Sequence, residues 1–291
     1  MGKTRLAIAL AQELHGEIIN ADSRQVYRHM DIGTAKPTPE ERAQAPHHLL
    51  DLRDPAASFD LGTFLSLARA AIAEIQSRHR LPILAGGTGQ YIWALLEGWQ
   101  VPEVPPDLEF RQAKEQEAEL RGGEALYAEL QYLDPERAAQ LDPRNLRRVI
   151  RALEILHVTG IRPSQLSRRA VPATDHQRPI IGLTLDRESL YQRIDQRVDQ
   201  MLEQGFLEEC QSLADQGYRL GEGSLACPGY RELGQHLSGE LTLAEAVQRT
   251  RYQTHRLARR QFTWFKLADP RIRWLDAGNP DLVEQALQIC Q

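Results

Sequence analysis

At 291 residues with 42% of them apolar, the chain is long enough for one large domain, or for a core that carries an insertion. A formal charge of −5 excludes a surface that binds polyanions everywhere, so any such contact has to come from a local patch. Cys210, Cys227 and Cys290 are scattered, which excludes a disulfide framework or a zinc site and fits a reducing compartment.

Gly2-Lys3-Thr4 opens a helical pattern over Thr4–Leu14, with Leu6, Ile8, Ala9, Leu10 and Leu14 apolar. Lys3 and Arg5 lead straight into this helix, so no signal peptide is expected, and no apolar run reaches the ~18–20 residues of a membrane span. A cytoplasmic protein is the expectation. G-K-T is the second half of the phosphate-loop motif G-x-x-x-x-G-K-[ST], in which the lysine neutralises a phosphate and the hydroxyl ligates magnesium. The chain begins at Met1, so Met1 reads as a mid-loop methionine, with the first strand and the first half of the loop missing. Ile18-Ile19 ends a short buried strand, and Asn20–Tyr27 follows it. Asp22 and Ser23 fall just past the strand, where ligands bind in open α/β sheets. A carboxylate beside a phosphate-binding turn suggests group transfer from a phosphorylated donor, with Asp22 as base or magnesium partner.

Tyr27–Pro39 reads as a loop over the site, and Pro46–Asp51 as a short strand. His47 and His48 would face opposite sides of that strand, which disfavours joint metal ligation. Phe59–His79 is a second amphipathic helix. Leu81–Ala85 is an apolar strand ending in Gly86-Gly87-Thr88-Gly89, with Tyr91–Leu96 helical after it: another small-ligand turn, with Thr88 as its hydroxyl.

At Val101–Pro106 the periodicity stops, and residues 103–177 read as a helical insertion between two parts of the core, 1–102 and 178–291. The insertion is charged and helical to about Arg169. A helix start at Leu141-Asp142-Pro143 would put Arg144, Arg147, Arg148 and Arg151 in one basic stripe that suits a phosphate backbone. Arg178–Leu185 returns to a buried-strand pattern, and Leu190–Gly205 is a helix whose Arg193 and Arg197 can grip a diphosphate. Pro228-Gly229 breaks and restarts the helices. Arg249–Lys266 carries six basic residues and no acid, with Tyr252, Phe262, Trp264 and Phe265 interleaved, a composition that follows a phosphate backbone and stacks on bases. Lysine is scarce (Lys3, Lys36, Lys114 and Lys266), which we read as base composition, although Lys3 and Lys36 lie in the opening motifs.

These residues resemble the tRNA dimethylallyltransferases, the isopentenyltransferases that modify adenosine beside the anticodon. The matching segments are GKT at 2–4, ADSRQVYRHMDIGTAKP at 21–37, PHHLLD at 46–51 and PILAGGTGQYIWALL at 82–96. Further on come NLRRVIRALE at 145–154, RIDQRVDQMLEQGFLEE at 193–209, GYRE at 229–232 and RTRYQTHRLARRQFTWF at 249–265. The resemblance implies an α/β class with a P-loop-like parallel-sheet core and a mostly helical insertion. It implies transfer of a dimethylallyl group from its diphosphate to N6 of an adenosine in tRNA, with Mg2+, by a monomer without membrane attachment. Asp22 would be the base, assisted by Thr88 and Arg197. Gly2, Lys3, Thr4, Arg193 and Arg197 would hold the diphosphate, with Thr4 on the metal. Asp22, Ser23, Arg24, Gln25 and Thr88 would meet the flipped base. The tRNA would rest on Arg147, Arg148, Val149, Ile150 and Arg151, and on Arg259, Arg260 and Gln261. Two rival readings are a small-metabolite kinase using ATP on the same core, and a tRNA-binding protein made inert by the half-loop.

Overall fold

The structure is a computed structural model that describes residues 2–102, 104–166 and 179–290. Contacts divide the chain into two compact units, Met1–Trp93 with His176–Gln291, and Ala94–Asp175. The sequence boundaries at 102/103 and 177/178 touch Glu103 and 167–178, outside the described residues, as do Arg178 and the end of the helical reading near Arg169.

The first unit is α/β with parallel strands, the class expected. Helix α1 (Lys3–Glu13) follows Gly2, whose φ of 82° is a left-handed conformation that glycine adopts without strain. Strand β1 (Gly16–Ala21) is buried throughout. Helix α2 (Pro39–Gln44) starts with a capping box between Thr38 and Glu41 and leads into β2, only His47–His48. Helix α3 (Leu61–Ser77), capped by the Asp60 side chain, precedes β3 (Leu81–Gly86) and then α4 (Gly89–Leu96). β1 is the centre of a parallel sheet ordered β2-β1-β3. Its register against β3 runs from Gly16↔Leu81 to Ala21↔Gly86, so the two strands end side by side. Gly86 is required there, because a Cβ would run into the Ala21 carbonyl.

The second half of this unit supplies a separate two-stranded parallel sheet, β4 (Ile180–Thr184) with β5 (Ile272–Asp276). Helix α1 serves both sheets. Ala7, Ile8 and Ala11 pack with Ile18 and Ile83, whereas Leu6 and Leu10, four apart on the next face, pack with Leu183 and Ala286. Four more helices follow β4 before β5: α10 (Arg187–Glu203), α11 (Phe206–Asp215), α12 (Tyr230–Leu237) and α13 (Leu243–Trp264). α14 (Leu282–Cys290) comes last. Val26, Tyr27 and Met30 are fully or nearly fully buried against Phe206, Tyr230 and Leu233, which ties the loop after β1 to α11 and α12.

The other unit holds α5 (Leu108–Arg121), α6 (Gly123–Leu133), α7 (Pro135–Ala138), α8 (Leu146–Thr159) and α9 (Pro163–Leu166) around Leu126, Leu130, Val149, Ile150 and Leu153. α8 begins later than Leu141-Asp142-Pro143 suggests, because the Asn145 side chain accepts from the Arg148 N–H and caps it. Arg144 therefore lies outside the helix, paired with Asp142 at 2.9 Å, and drops out of the stripe.

Candidate functional site

The carboxyl ends of β1 and β3 carry Asp22 and the Gly87-Thr88 turn, and these are bonded to each other. The Thr88 N–H donates to the Ala21 carbonyl (3.2 Å), and the Ser23 N–H donates to the Thr88 hydroxyl (3.0 Å). Asn20 stiffens the strand end: its Oδ1 accepts from the Asp22 N–H (3.0 Å), and its amide donates to the carbonyls of Asp22 and Leu49 (both 3.1 Å). One carboxylate oxygen of Asp22 accepts from the Arg24 N–H at 2.9 Å, which fixes the side chain over its own turn.

A cavity of about 50 Å³ opens between this end of the sheet and the first turn of α1, lined by Lys3, Thr4, Asn20, Asp22, Gln25, Pro37, His47 and Gly86 among others. Burial pulls the Lys3 ammonium below the usual lysine range; the charge of Asp22 opposes that shift and the charge of Arg197 adds to it. Lys3 thus feels the charges of both Asp22 and Arg197. Arg193, also on α10, is exposed and donates to the Ala277 carbonyl at 3.3 Å.

The Arg24 guanidinium donates to the Ser224 carbonyl at 2.8 Å. Gln25 donates its amide N–H groups to the carbonyls of Thr34 and Ala35, each at 3.0 Å. Gly87 permits a close approach: a Cβ there would lie 2.5 Å from Gln261 Nε2 and 2.9 Å from Lys3 Nζ. Gln261, read from the sequence as a tRNA contact, is therefore packed against the turn beside Lys3.

Of the remaining cations, Arg259 and Arg260 on α13 are exposed, while Arg251 is paired with Asp199. Two of the aromatic residues interleaved with them make packing contacts, whereas Tyr252 is exposed: Phe262 stacks on Trp274 (6.2 Å between centroids), and Trp264 lies over Gly89. In the other unit, Arg147 and Arg148 are exposed, whereas Val149 and Ile150 are core residues at 0% and 4% exposure. Their side chains offer nothing to a ligand, which corrects that part of the reading. Arg151 is half-buried and bonded to Glu154 (2.6 Å) and the Val104 carbonyl (2.8 Å). Burial raises the Glu154 carboxyl, but hydrogen bonds from Arg111, Arg151 and the Asp107 N–H outweigh it and hold it below the usual range.

Three contributors escaped the sequence reading. His47 lines the cavity; its Nδ1 lies 2.8 Å from the Ala45 carbonyl, so that nitrogen carries the proton. Its Nε2 is buried with no hydrogen-bond partner among the described residues, and burial holds the imidazole below its ordinary pKa. Cys227, pushed up to about 12 by burial, feels the charges of Arg24 and Asp22 and stays a thiol. Glu209 bonds the loop after Met30. His47 is brought beside Ile18 only by the parallel pairing of β1 with β2, and the other two are joined to the site by long-range packing.

The family model for IPP transferase matches residues 25–268. A tRNA dimethylallyltransferase of Roseiflexus castenholzii is 49% identical over 286 residues, covering 98% of this chain and 92% of that protein. One from Dehalococcoides mccartyi is 45% identical, covering 98% and 89%. The full-length tRNA isopentenylpyrophosphate transferase of Bacillus halodurans is similar in structure, with a TM-score of 0.71 at 40% identity over 99% of this chain and 90% of that one. A eukaryotic dimethylallyltransferase solved acting on tRNA gives a TM-score of 0.83 at 30% identity, over 99% of this chain and 75% of that one. The residues that bring Asp22, Lys3 and Thr88 together lie within segments shared at this level over nearly the whole length, and the chain belongs to the IPP transferase family.

Proposed function

We propose that this chain transfers the dimethylallyl group of dimethylallyl diphosphate to N6 of the adenosine immediately 3′ of the anticodon in tRNA, giving N6-isopentenyladenosine. The observation that carries the reading is the cavity in which the Lys3 ammonium and the Asp22 carboxylate share one electrostatic environment at the strand ends. Transfer from a diphosphate to an amine asks for that pair, a cation for the leaving anion and a base for the proton. The small-metabolite kinase and the inert binding protein are not favoured, because the relatives matched over nearly the whole chain are named as the transferase.

In the proposed reaction, Lys3, the Gly2–Thr4 backbone at the start of α1 and Arg197 bind the diphosphate. Arg193 contributes from further along α10. The flipped adenine enters from the base side, because its amine is unreachable within a stack. Its N6 lone pair forms the bond to C1 of the dimethylallyl group as the C1–O bond breaks, and that bond's electron pair leaves with the diphosphate. The N6 proton passes to the Asp22 carboxylate. Thr88 holds the Ser23 backbone and so orients Asp22, while Ser23, Arg24 and Gln25 shape the base pocket.

Magnesium fits this donor set in one way. Thr4 offers a hydroxyl to the cavity, and among the described residues no group of three or more His, Cys, Asp or Glu side chains could hold an ion alone. Such an ion would be carried mainly by diphosphate oxygens, with Thr4 as a protein ligand, and would neutralise charge on the leaving group. The exposed Arg147, Arg148, Arg259 and Arg260 would pair with tRNA phosphates. Arg151 would contribute less, being held by Glu154, and Gln261 is better suited to the donor end. We read the enzyme as a cytoplasmic monomer whose insertion contacts the tRNA.

The test is to incubate the protein with unmodified tRNA, dimethylallyl diphosphate and Mg2+, then digest the tRNA and weigh its nucleosides. A dimethylallyl-adenosine peak that disappears with Asp22→Ala, while tRNA is still bound, is the expected result. tRNA binding with no product from the unaltered protein would instead favour the inert reading, and ATP turnover without product the kinase.

A further inference from the structure

The loop between β1 and α2 lines the cavity through Gln25 and Pro37, yet it is held by a residue that does not line it. Glu209, on α11, accepts four hydrogen bonds. Its Oε2 takes the N–H groups of Asp31 (2.9 Å) and Ile32 (2.8 Å), and its Oε1 takes the Gly33 N–H (3.1 Å) and the Tyr230 hydroxyl (2.6 Å). Three successive backbone donors on one carboxylate form a charge-assisted clamp, stronger than neutral bonds of the same number. Gly33 fits beneath it because it has no side chain; a Cβ would collide with the rings of Phe206 and Tyr230. The loop needs an outside hold, since Ala35 sits at φ 49°, in the left-handed region that a residue with a Cβ disfavours.

The clamp is connected to the cavity by a short path. Gln25 spends its amide on the carbonyls of Thr34 and Ala35 (3.0 Å each), the residues immediately after the clamped segment. Both partners only accept, so the amide can present only its NH2 to them, and the side chain's orientation at the cavity follows the loop. Lys36, next in sequence, ties the same loop to Asp51 at 2.6 Å and to the Tyr27 carbonyl at 2.7 Å. Pro37 then lines the cavity itself.

We propose that Glu209 is a positioning residue for the acceptor side of the transfer site: by clamping the 31–33 backbone it sets the loop that orients Gln25 and Pro37. This rests on the reading of the cavity as the place of prenyl transfer. Glu209 does not line the cavity, whereas Lys3 reaches it from the start of α1.

The test compares the unaltered protein with Glu209→Gln, Gly33→Ala and Tyr230→Phe. Readouts are kcat, KM for tRNA, KM for dimethylallyl diphosphate, and hydrogen exchange of the 31–33 amides. Glu209→Gln keeps one acceptor oxygen and loses the charge, so it is expected to deprotect those amides and to lower kcat/KM for tRNA by about 10–100-fold. KM for the diphosphate should stay within about two-fold, and pyrophosphate should still bind at full stoichiometry. Gly33→Ala should reproduce that pattern by pushing the loop off the clamp. Tyr230→Phe leaves the three backbone donors bound and should stay within about three-fold of the parent. A merely structural role would lower the active fraction and leave both KM values alone. Product from the parent with unchanged constants in Glu209→Gln would overturn the role of Glu209 alone. No product from the parent would overturn the transfer reading and this role with it.

Discussion

The Thr88 hydroxyl accepts the Ser23 backbone N–H at 3.0 Å, across 65 residues of sequence, and so joins the two strand-end turns into one frame around Asp22. Thr88→Ala leaves that N–H without its partner, whereas Thr88→Ser keeps the oxygen. Turnover of Thr88→Ala should fall by roughly ten-fold, the scale of one net hydrogen bond, and the serine variant should remain near the parent in the same steady-state assay.

Asp22 and the exposed arginines should separate chemistry from affinity. Asp22→Asn is expected to lose about 10²–10⁴-fold in single-turnover rate, the usual contribution of a positioned base, with tRNA affinity preserved. Arg147→Ala and Arg148→Ala should do the reverse, each lowering the slope of log affinity against log salt by about 0.7–0.9. An unchanged slope in filter binding would remove these two residues from the tRNA contact surface.

Neighbouring glycines in the turn after β3 should behave differently. Gly86→Ala forces a Cβ onto the Ala21 carbonyl, a fixed backbone atom, and overpacking of this kind costs about 1–3 kcal/mol, read as a lowered Tm. Gly87→Ala meets Gln261 Nε2 and Lys3 Nζ, the ends of flexible side chains, which can swing away. That variant should fold with a normal Tm and bind pyrophosphate more weakly, as calorimetry would show.

Donor affinity should depend on pH through Lys3. Its ammonium titrates below the usual lysine range because burial disfavours the charge. Only the protonated form attracts diphosphate, so affinity should be full well below the depressed pKa. It should then fall as pH rises through it, earlier than an ordinary lysine would dictate. Binding in that range should take up protons, and Lys3→Arg should flatten the profile.

The parallel strands and the placement of Asp22 were legible because apolar runs ending in polar or glycine residues carry a local signal, as in Ile18–Ser23 and Ile83–Thr88. The basic stripe was half legible. Helical spacing put Arg147, Arg148 and Arg151 on one side, but the Asn145 cap moved the start past Arg144, and Glu154, a buried carboxylate with no outward sign in sequence, claimed Arg151. Ser224, which holds Arg24, and Glu209, which holds Asp31–Gly33, were invisible for the same reason. They lie 200 and 176–178 residues from their partners, and no periodicity encodes a bond of that span. The separate β4-β5 sheet was likewise beyond a reading that expected a single core.

Two of the four lysines stand in nests of acceptors that explain their placement. Lys36 has a side chain 1% exposed and points its ammonium at Tyr27, Asp31 and Asp51, and Lys114 is shared between Glu117 and Glu129. Three diverging donors on a compact charge suit such nests, and the flat fork of arginine does not. With so few amines, a mild acylating reagent becomes a selective probe of this protein. Exposed Lys266 should label first, enclosed Lys36 should resist, and Lys3, carrying more free base than an ordinary lysine, should label until pyrophosphate shields it.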